Sequence, residues 1–285
     1  MQPTPLAPCT QPAPPRPPEP RAVLLTGAAG GVGTHMRELL PAYGYALRPL
    51  DARPVPGAPE AVVADLADRA ALREAVRGVD AVVHLAGIAL EAEFDAIVAA
   101  NVTGLQHLYE AVREEGVRRV VFASSNHAVG FSPRPRRGEP PLPVATPHRP
   151  DTFYGLSKAF GEDLAQYYWD RHGVETVSVR IGSCQAEPES VRMLSTWLSP
   201  ADCARLFHAA LAAPEVGHTV VYGSSANTRA WWDLGSARAL GYAPEDDAEA
   251  FAERILAAHG RPVPGSAEDL YVGGDFCADP PRLAR

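Results

Sequence analysis

Cysteine is scarce in this chain, and the four that occur, Cys9, Cys184, Cys203 and Cys277, lie far apart. None forms a C-x-x-C pair or sits at ligand spacing from a histidine, so neither a zinc site nor a disulfide framework is signalled. Reduced thiols and no metal are the expectation. A basic excess is also missing: 26 Lys and Arg stand against 34 Asp and Glu, a formal charge of −8. Nucleic-acid-binding domains carry a basic stripe that neutralises phosphates, so no nucleic-acid partner is expected, and an anionic ligand must be held by a few local cations. No apolar run reaches the length of about 18 residues that a membrane-spanning helix needs. The N-terminal segment lacks the apolar stretch of a secretory signal. What opens the chain instead is proline, at nine of the first twenty positions. Proline removes backbone donors and forbids regular helix or strand, so residues 1–20 read as a disordered, polyproline-like tail.

Beyond that tail the content is that of a globular protein, 46% hydrophobic and 21% charged, and the length suits one large α/β domain. Apolar strand-like runs are expected at Ala22–Leu25, Tyr45–Leu50, Ala61–Ala64, Ala81–Leu85, Val117–Ala123 and Val174–Arg180, with helical stretches between most of them. The first of these helices should run from about Gly33 to Leu40 and stop at Pro41. Such alternation predicts a doubly wound parallel sheet of the Rossmann type over 21–182, with a smaller, mainly substrate-binding portion over 183–285 packed on the same domain. Past residue 182 the alternation weakens. The Pro- and Arg-rich stretch from Asn126 to Pro150 is too long for a simple connection and reads as a functional or mobile loop. Its cations Arg134, Arg136 and Arg137 are expected at a solvated surface rather than on substrate.

The first strand runs into Thr26-Gly27-Ala28-Ala29-Gly30-Gly31-Val32-Gly33. Gly27, Gly30 and Gly33 allow a tight turn, close approach of the backbone to a pyrophosphate, and close helix–strand packing, while the helix N-terminus offers free N–H groups to phosphates. Asp51, ending the second strand 18 residues after Gly33, is placed to accept from the adenosine ribose hydroxyls and to repel a 2′-phosphate, which favours NAD over NADP. Arg53 is the one feature that could soften that preference. Asp65 and Leu66 are expected near the adenine, and Leu85 with Gly87 along the inner wall of the cleft.

Tyr154 and Lys158 stand four apart on a predicted helix, so both side chains leave one face. A tyrosine hydroxyl is a poor base near neutrality, and an adjacent ammonium is expected to lower its pKa. Lys158 can also hydrogen-bond the nicotinamide ribose. Ser125, at the carboxyl end of the fifth strand, is the expected partner of the reacting oxygen. Asn126 and His127 follow it and could fix sugar hydroxyls, with a loop histidine bonded to backbone as the other reading of His127. Asn101 reads equally as the holder of a water that relays the proton outward or as a surface polar residue.

The segments Phe122–His127, Tyr154–Lys158 with Phe160-Gly161-Glu162, Arg180–Cys184, Glu187-Pro188, Arg192–Trp197, Trp231-Trp232-Asp233 and Gly273–Phe276 occur in the order, and with the residues, of the bacterial uronate dehydrogenases. The sequence resembles that family, within the extended short-chain dehydrogenase/reductases, from about residue 21 to the end. The resemblance implies oxidation of the C1 hydroxyl of cyclic D-glucuronate or D-galacturonate to an aldarolactone with release of NADH. It places Arg192 on the substrate carboxylate and Phe276 over the sugar, or in the core as an ordinary aromatic. It also implies a homo-oligomer, while the absence of targeting signals and the need for NAD lead to an expected cytoplasmic location. Where the family commonly has a sugar-contacting serine, this chain has Ala89. A sugar-nucleotide epimerase or dehydratase would use the same fold and the same Tyr–Lys pair, and a non-catalytic NAD sensor acting through the tail is a third reading.

Overall fold

The computed structural model describes residues 22–136 and 138–281; the proline-rich tail and Arg137 lie outside the described residues. Seven parallel strands form the main sheet: β1 (Ala22–Thr26), β2 (Ala46–Asp51), β3 (Val62–Val63), β4 (Ala81–His84), β5 (Arg119–Ser125), β6 (Glu175–Ile181) and, after a two-stranded ribbon of β7 (Ser183–Cys184) and β8 (Trp197–Leu198), β9 (His218–Gly223). Their spatial order is β3-β2-β1-β4-β5-β6-β9. All seven residues of β5 and all seven of β6 are buried, as expected of central strands covered by helices on both faces.

One face carries α1 (Gly31–Leu39), which touches the helix α7 described below. The other carries α2 (Arg69–Val76), a continuous helical run made of α3 (Phe94–Ile97), a π-helical segment at Val98–Thr103 and α4 (Gly104–Glu114), and α5 (Phe153–His172). α6 (Met193–Thr196) precedes α7 (Pro200–Ala212). Side-chain caps set several helix starts: Asp68 accepts from Ala71 N–H, Thr152 from Gly155 N–H and Ser199 from Asp202 N–H, each satisfying a donor that the helix itself leaves open. Gly173, at φ 69°, closes α5 in the left-handed region that L side chains avoid.

Several sequence expectations shift. The α-helix begins at Gly31, and Pro41 does not end the helical path: it sits in the first turn of a 3₁₀ segment, Leu40–Tyr43, where its missing N–H costs nothing. β5 runs two residues past its expected end because Ser124 and Ser125 pair with Arg180 and Ile181. The alternation does not lapse after residue 182: α7 and β9 add a seventh parallel strand beside β6. Arg134 and Arg136 are not simply solvated, since both bond to Asp269, and the Arg134 guanidinium lies 5.4 Å from the centre of the Trp231 ring. Their loop is pinned to the C-terminal segment by bridges Pro133–Tyr271 and Leu142–Trp232. No helix among the described residues is long and apolar enough to cross a membrane.

Candidate active site

The strand order reverses between β1 and β4, and ligands of open α/β sheets lie beyond the carboxyl ends of strands at such a switch point. There the structure has a cleft of about 620 Å³, lined by the glycine turn after β1, Asp51 after β2, Leu85–Leu90 after β4, Ser125 and His127 after β5, Tyr154 and Lys158 of α5, and Ser183–Gln185 after β6. Arg192 and Phe276 close it from the C-terminal portion.

The residues at one end fit a dinucleotide. Gly27 has φ 71°, and a Cβ there would lie 2.6 Å from Ala86 N; a Cβ on Gly33 would lie 2.1 Å from the Gly27 carbonyl. A Cβ at Gly31 would meet nothing within 4 Å, so the mouth of the turn is open toward the cleft. Asp51 is buried and already accepts from Ala29 N–H (3.0 Å) and Arg53 N–H (3.1 Å), which fixes the carboxylate while each oxygen keeps a lone pair for a hydroxyl. The Arg53 side chain is 74% exposed, with Nε 3.8 Å from Asp51. Asp65, Leu66, Leu85 and Gly87 all line the cleft. Lys158 is 7% exposed and makes no hydrogen bond with the described residues; its ammonium lies 5.1 Å from the Phe122 ring centre and 5.6 Å from that of Tyr154. A buried cation with three unmet donors at this end of the cleft suits the diol of a ribose.

Asn101 does not line the cleft. It sits in the π-helical segment, accepts from Ile88 N–H (2.7 Å) and donates to Ile88 O and Ser157 Oγ (both 2.9 Å), so it holds the cleft wall in place from behind. Asn126 is also withdrawn, at 1% exposed. Its amide donates to Ile181 O at 3.1 Å, and its oxygen accepts from Arg192 Nη2 at 2.6 Å. With both ends engaged, it positions the arginine.

Burial governs the charges. It pushes Tyr154 up to about 12, opposed by a hydrogen bond with Ser125 and reinforced by the nearby negative charge of Asp151. Burial also pulls Lys158 down to about 8. The expected lowering of the tyrosine by the lysine is therefore reversed: the interior disfavours the charged form of both groups. They form a neighbouring pair, the Lys158 ammonium lying 5.6 Å from the Tyr154 ring centre. Loss of its first proton leaves a single proton to share, and one arrangement of it is ammonium with phenolate. Arg192 is brought down to about 10 by burial; its Nε donates to Val272 O at 2.9 Å and its Nη2 to Asn126, and the residue borders the cleft. Phe276 is a cleft residue, its ring centre 4.1 Å from that of His127.

A buried network anchors the catalytic helix. Arg180 on β6 holds Glu162 of α5 with two bonds, Nε–Oε1 at 2.9 Å and Nη2–Oε2 at 2.8 Å. Ser124 on β5 donates to Oε1 at 2.5 Å, and His148 of the long loop meets Oε2 at 2.8 Å. Burial pushes Glu162 up, yet the bonds from His148, Arg180 and Ser124 hold it at about 2. Sequence reasoning did not single out Asp151, which pairs with His127, or Glu91, which accepts from Tyr154 N–H at 3.0 Å. Ser183 lay inside a noted segment but was given no role.

Comparison with known proteins agrees with this geometry. The profile of the NAD dependent epimerase/dehydratase family matches residues 23–231. A uronate dehydrogenase of Pseudomonas syringae pv. tomato is 48% identical over 91% of this chain and 94% of its own. Among solved structures, a uronate dehydrogenase from Agrobacterium tumefaciens, a tyrosine-to-alanine mutant complexed with NAD, superposes with a TM-score of 0.85 at 45% identity, covering 90% of this chain and 97% of that one. A glucuronic acid dehydrogenase from Chromohalobacter salexigens gives a TM-score of 0.86 at 42% identity, with coverage of 90% and 97%. The chain belongs to the uronate dehydrogenases of the NAD dependent epimerase/dehydratase family.

Proposed function

We propose that this protein oxidises the C1 hydroxyl of a cyclic hexuronate, D-glucuronate or D-galacturonate, to the aldarolactone. NAD, which the glycine turn, Asp51 and Lys158 would hold, would supply the hydride acceptor for C1, with NADH as the second product. The side chains handle the rest. Tyr154, in its phenolate form, takes the proton from the C1 oxygen as the carbonyl forms. Ser125, which lines the cleft together with Tyr154, holds that oxygen in line. Lys158 shares the tyrosine's proton and bonds the ribose. Arg192 grips the substrate carboxylate through its planar fork, held by Val272 O and Asn126, an arrangement suited to bidentate recognition. His127 accepts a ring hydroxyl, and Phe276 packs on the sugar face. Asp51 favours NAD over NADP, and the portion from 183 to 285 mainly shapes the sugar end. Ala89, which lines the cleft, leaves out one hydrogen bond, worth about 0.5 to 1.5 kcal/mol, and so sets affinity or the choice between the two uronates. We further propose a homo-oligomer that works in the cytoplasm without a nucleic-acid partner.

The observation that carries this reading is the half-buried Arg192 in the same cleft as the Tyr154–Ser125–Lys158 group: the base meets a cation built for a carboxylate. Product stoichiometry tests it. One NADH formed per hexuronate consumed supports the dehydrogenase. A sugar-nucleotide epimerase or dehydratase recycles its NAD, so turnover of a sugar nucleotide without accumulation of NADH would replace it.

A further inference from the structure

His127 Nδ1 lies 2.7 Å from Asp151 Oδ2, and the Asp151 side chain is wholly buried. The fold makes room for this carboxylate at some cost. A Cβ on Gly130 would lie 1.9 Å from Oδ2 and one on Gly273 2.1 Å from it, while a Cβ on Gly155 would lie 3.0 Å from Oδ1. Three separate segments therefore close on one acid, and each keeps a glycine where it does so.

The donors around Asp151 decide which way its bond to the histidine runs. Thr152 Oγ1 accepts from Gly155 N–H as the cap of α5, and it donates its own proton to Asp151 Oδ1 at 3.0 Å. Cys277 Sγ approaches Oδ2 at 3.9 Å. Asp151 is thus an acceptor on both oxygens, and the proton in the 2.7 Å contact belongs to His127 Nδ1. A neutral imidazole has one donor and one acceptor, so Nε2 carries the lone pair. Burial lowers the proton affinity of His127, partly offset by Asp151, with Arg192 adding to the lowering; the ring stays neutral. It lines the cleft between Phe276 and Tyr154, with ring centres at 4.1 and 5.9 Å, and Nε2 takes no hydrogen bond from the described residues.

We propose that Asp151 is a positioning residue that locks His127 in its Nδ1–H form, making Nε2 a fixed acceptor for one substrate hydroxyl and so a determinant of sugar specificity. This rests on the hexuronate reading of the site. The wrong tautomer would take away this acceptor, so the hydroxyl would have to turn its oxygen toward Nε2–H and find another acceptor for its own proton, and a pocket that holds hydroxyls in fixed directions discriminates less well when one must turn.

The test has two arms. In the unaltered protein labelled with ¹⁵N-histidine, the imidazole resonances that vanish in His127→Ala report its tautomer directly, with no need for turnover. Protonation at Nδ1 is expected; protonation at Nε2 overturns the proposal. In Asp151→Asn the amide can donate to Nδ1 and reverse the tautomer. The KM for hexuronate should then rise at least tenfold while the KM for NAD changes less than twofold, and the same substitution should add nothing further in the His127→Ala background. An equal rise in both backgrounds would make Asp151 merely structural and sink the idea. If no hexuronate is turned over at all, the functional reading fails while the spectrum still decides the histidine.

Discussion

Replacing Lys158 with methionine should make the protein more stable while removing its activity. Lys158 is 7% exposed, and its ammonium has no acceptor among the described residues. Burial brings its pKa from 10.5 to about 8, and at about 1.4 kcal/mol for each factor of ten the charged form costs about 3 kcal/mol on folding. The Phe122 ring, 5.1 Å away, returns about 1 kcal/mol through its quadrupole. Methionine keeps the stem and fills similar volume, so a net gain of about 2 kcal/mol is expected near pH 7. The sign with pH follows from proton binding. Between about 8 and 10.5 the unfolded chain holds the lysine proton and the folded one does not, so wild-type stability climbs with pH through this window. Below about 8 the penalty is fully present; above 10.5 it is gone. Urea denaturation of both proteins at pH 7 and near pH 10 would show the variant ahead at the lower pH and the gap closing at the higher. A variant less stable at pH 7, or a gap that ignores pH, would refute the reasoning.

Three further outcomes follow from the same geometry. Tyr154→Phe should lower kcat by about a thousandfold, the scale of a lost general base, while calorimetry shows NAD binding nearly unchanged. Because the Tyr154–Lys158 pair gives up its first proton near 8 or above, log kcat/KM should rise from pH 6 and level only beyond about pH 8; a flat or falling profile there would contradict the shared-proton base. Arg180→Met should cost about 3 to 5 kcal/mol by denaturation, because it strands the buried Glu162 carboxylate, and adding Glu162→Gln should recover part of the loss.

What the sequence disclosed was what depends on short spacing. Gly27, Gly30, Gly33 and Asp51 are read from one strand–turn–helix–strand unit, and Tyr154 with Lys158 from one helical turn, so neighbours in the chain are neighbours in the site. Strand β9 escaped notice because the irregular stretch from Ser183 to Leu198, with its two-residue strands, hides the return of the alternation. Asp151 follows a proline at the end of a long loop, and its partners Gly130, Gly273 and Cys277 come from segments 21, 122 and 126 residues away; nothing local marks it. The balance of charge at Tyr154 was misjudged for the same kind of reason. Spacing shows that a lysine is near, while the burial that outweighs it comes from the packing of the whole sheet. Asn101 reads from the sequence as a water holder or a surface residue and Asn126 as a sugar contact, because nothing local shows their partners, whereas the structure spends their hydrogen bonds on Ile88 and Arg192.

The most direct measurement of the central claim is the initial rate of NADH formation with glucuronate and with glucose, for the unaltered protein and for Arg192→Met. The account predicts a strong preference for glucuronate that falls by about a hundredfold in the variant, equivalent to about 3 kcal/mol for a close charge pair lost, with little change in the slow rate on glucose. Discrimination that survives in Arg192→Met would contradict it.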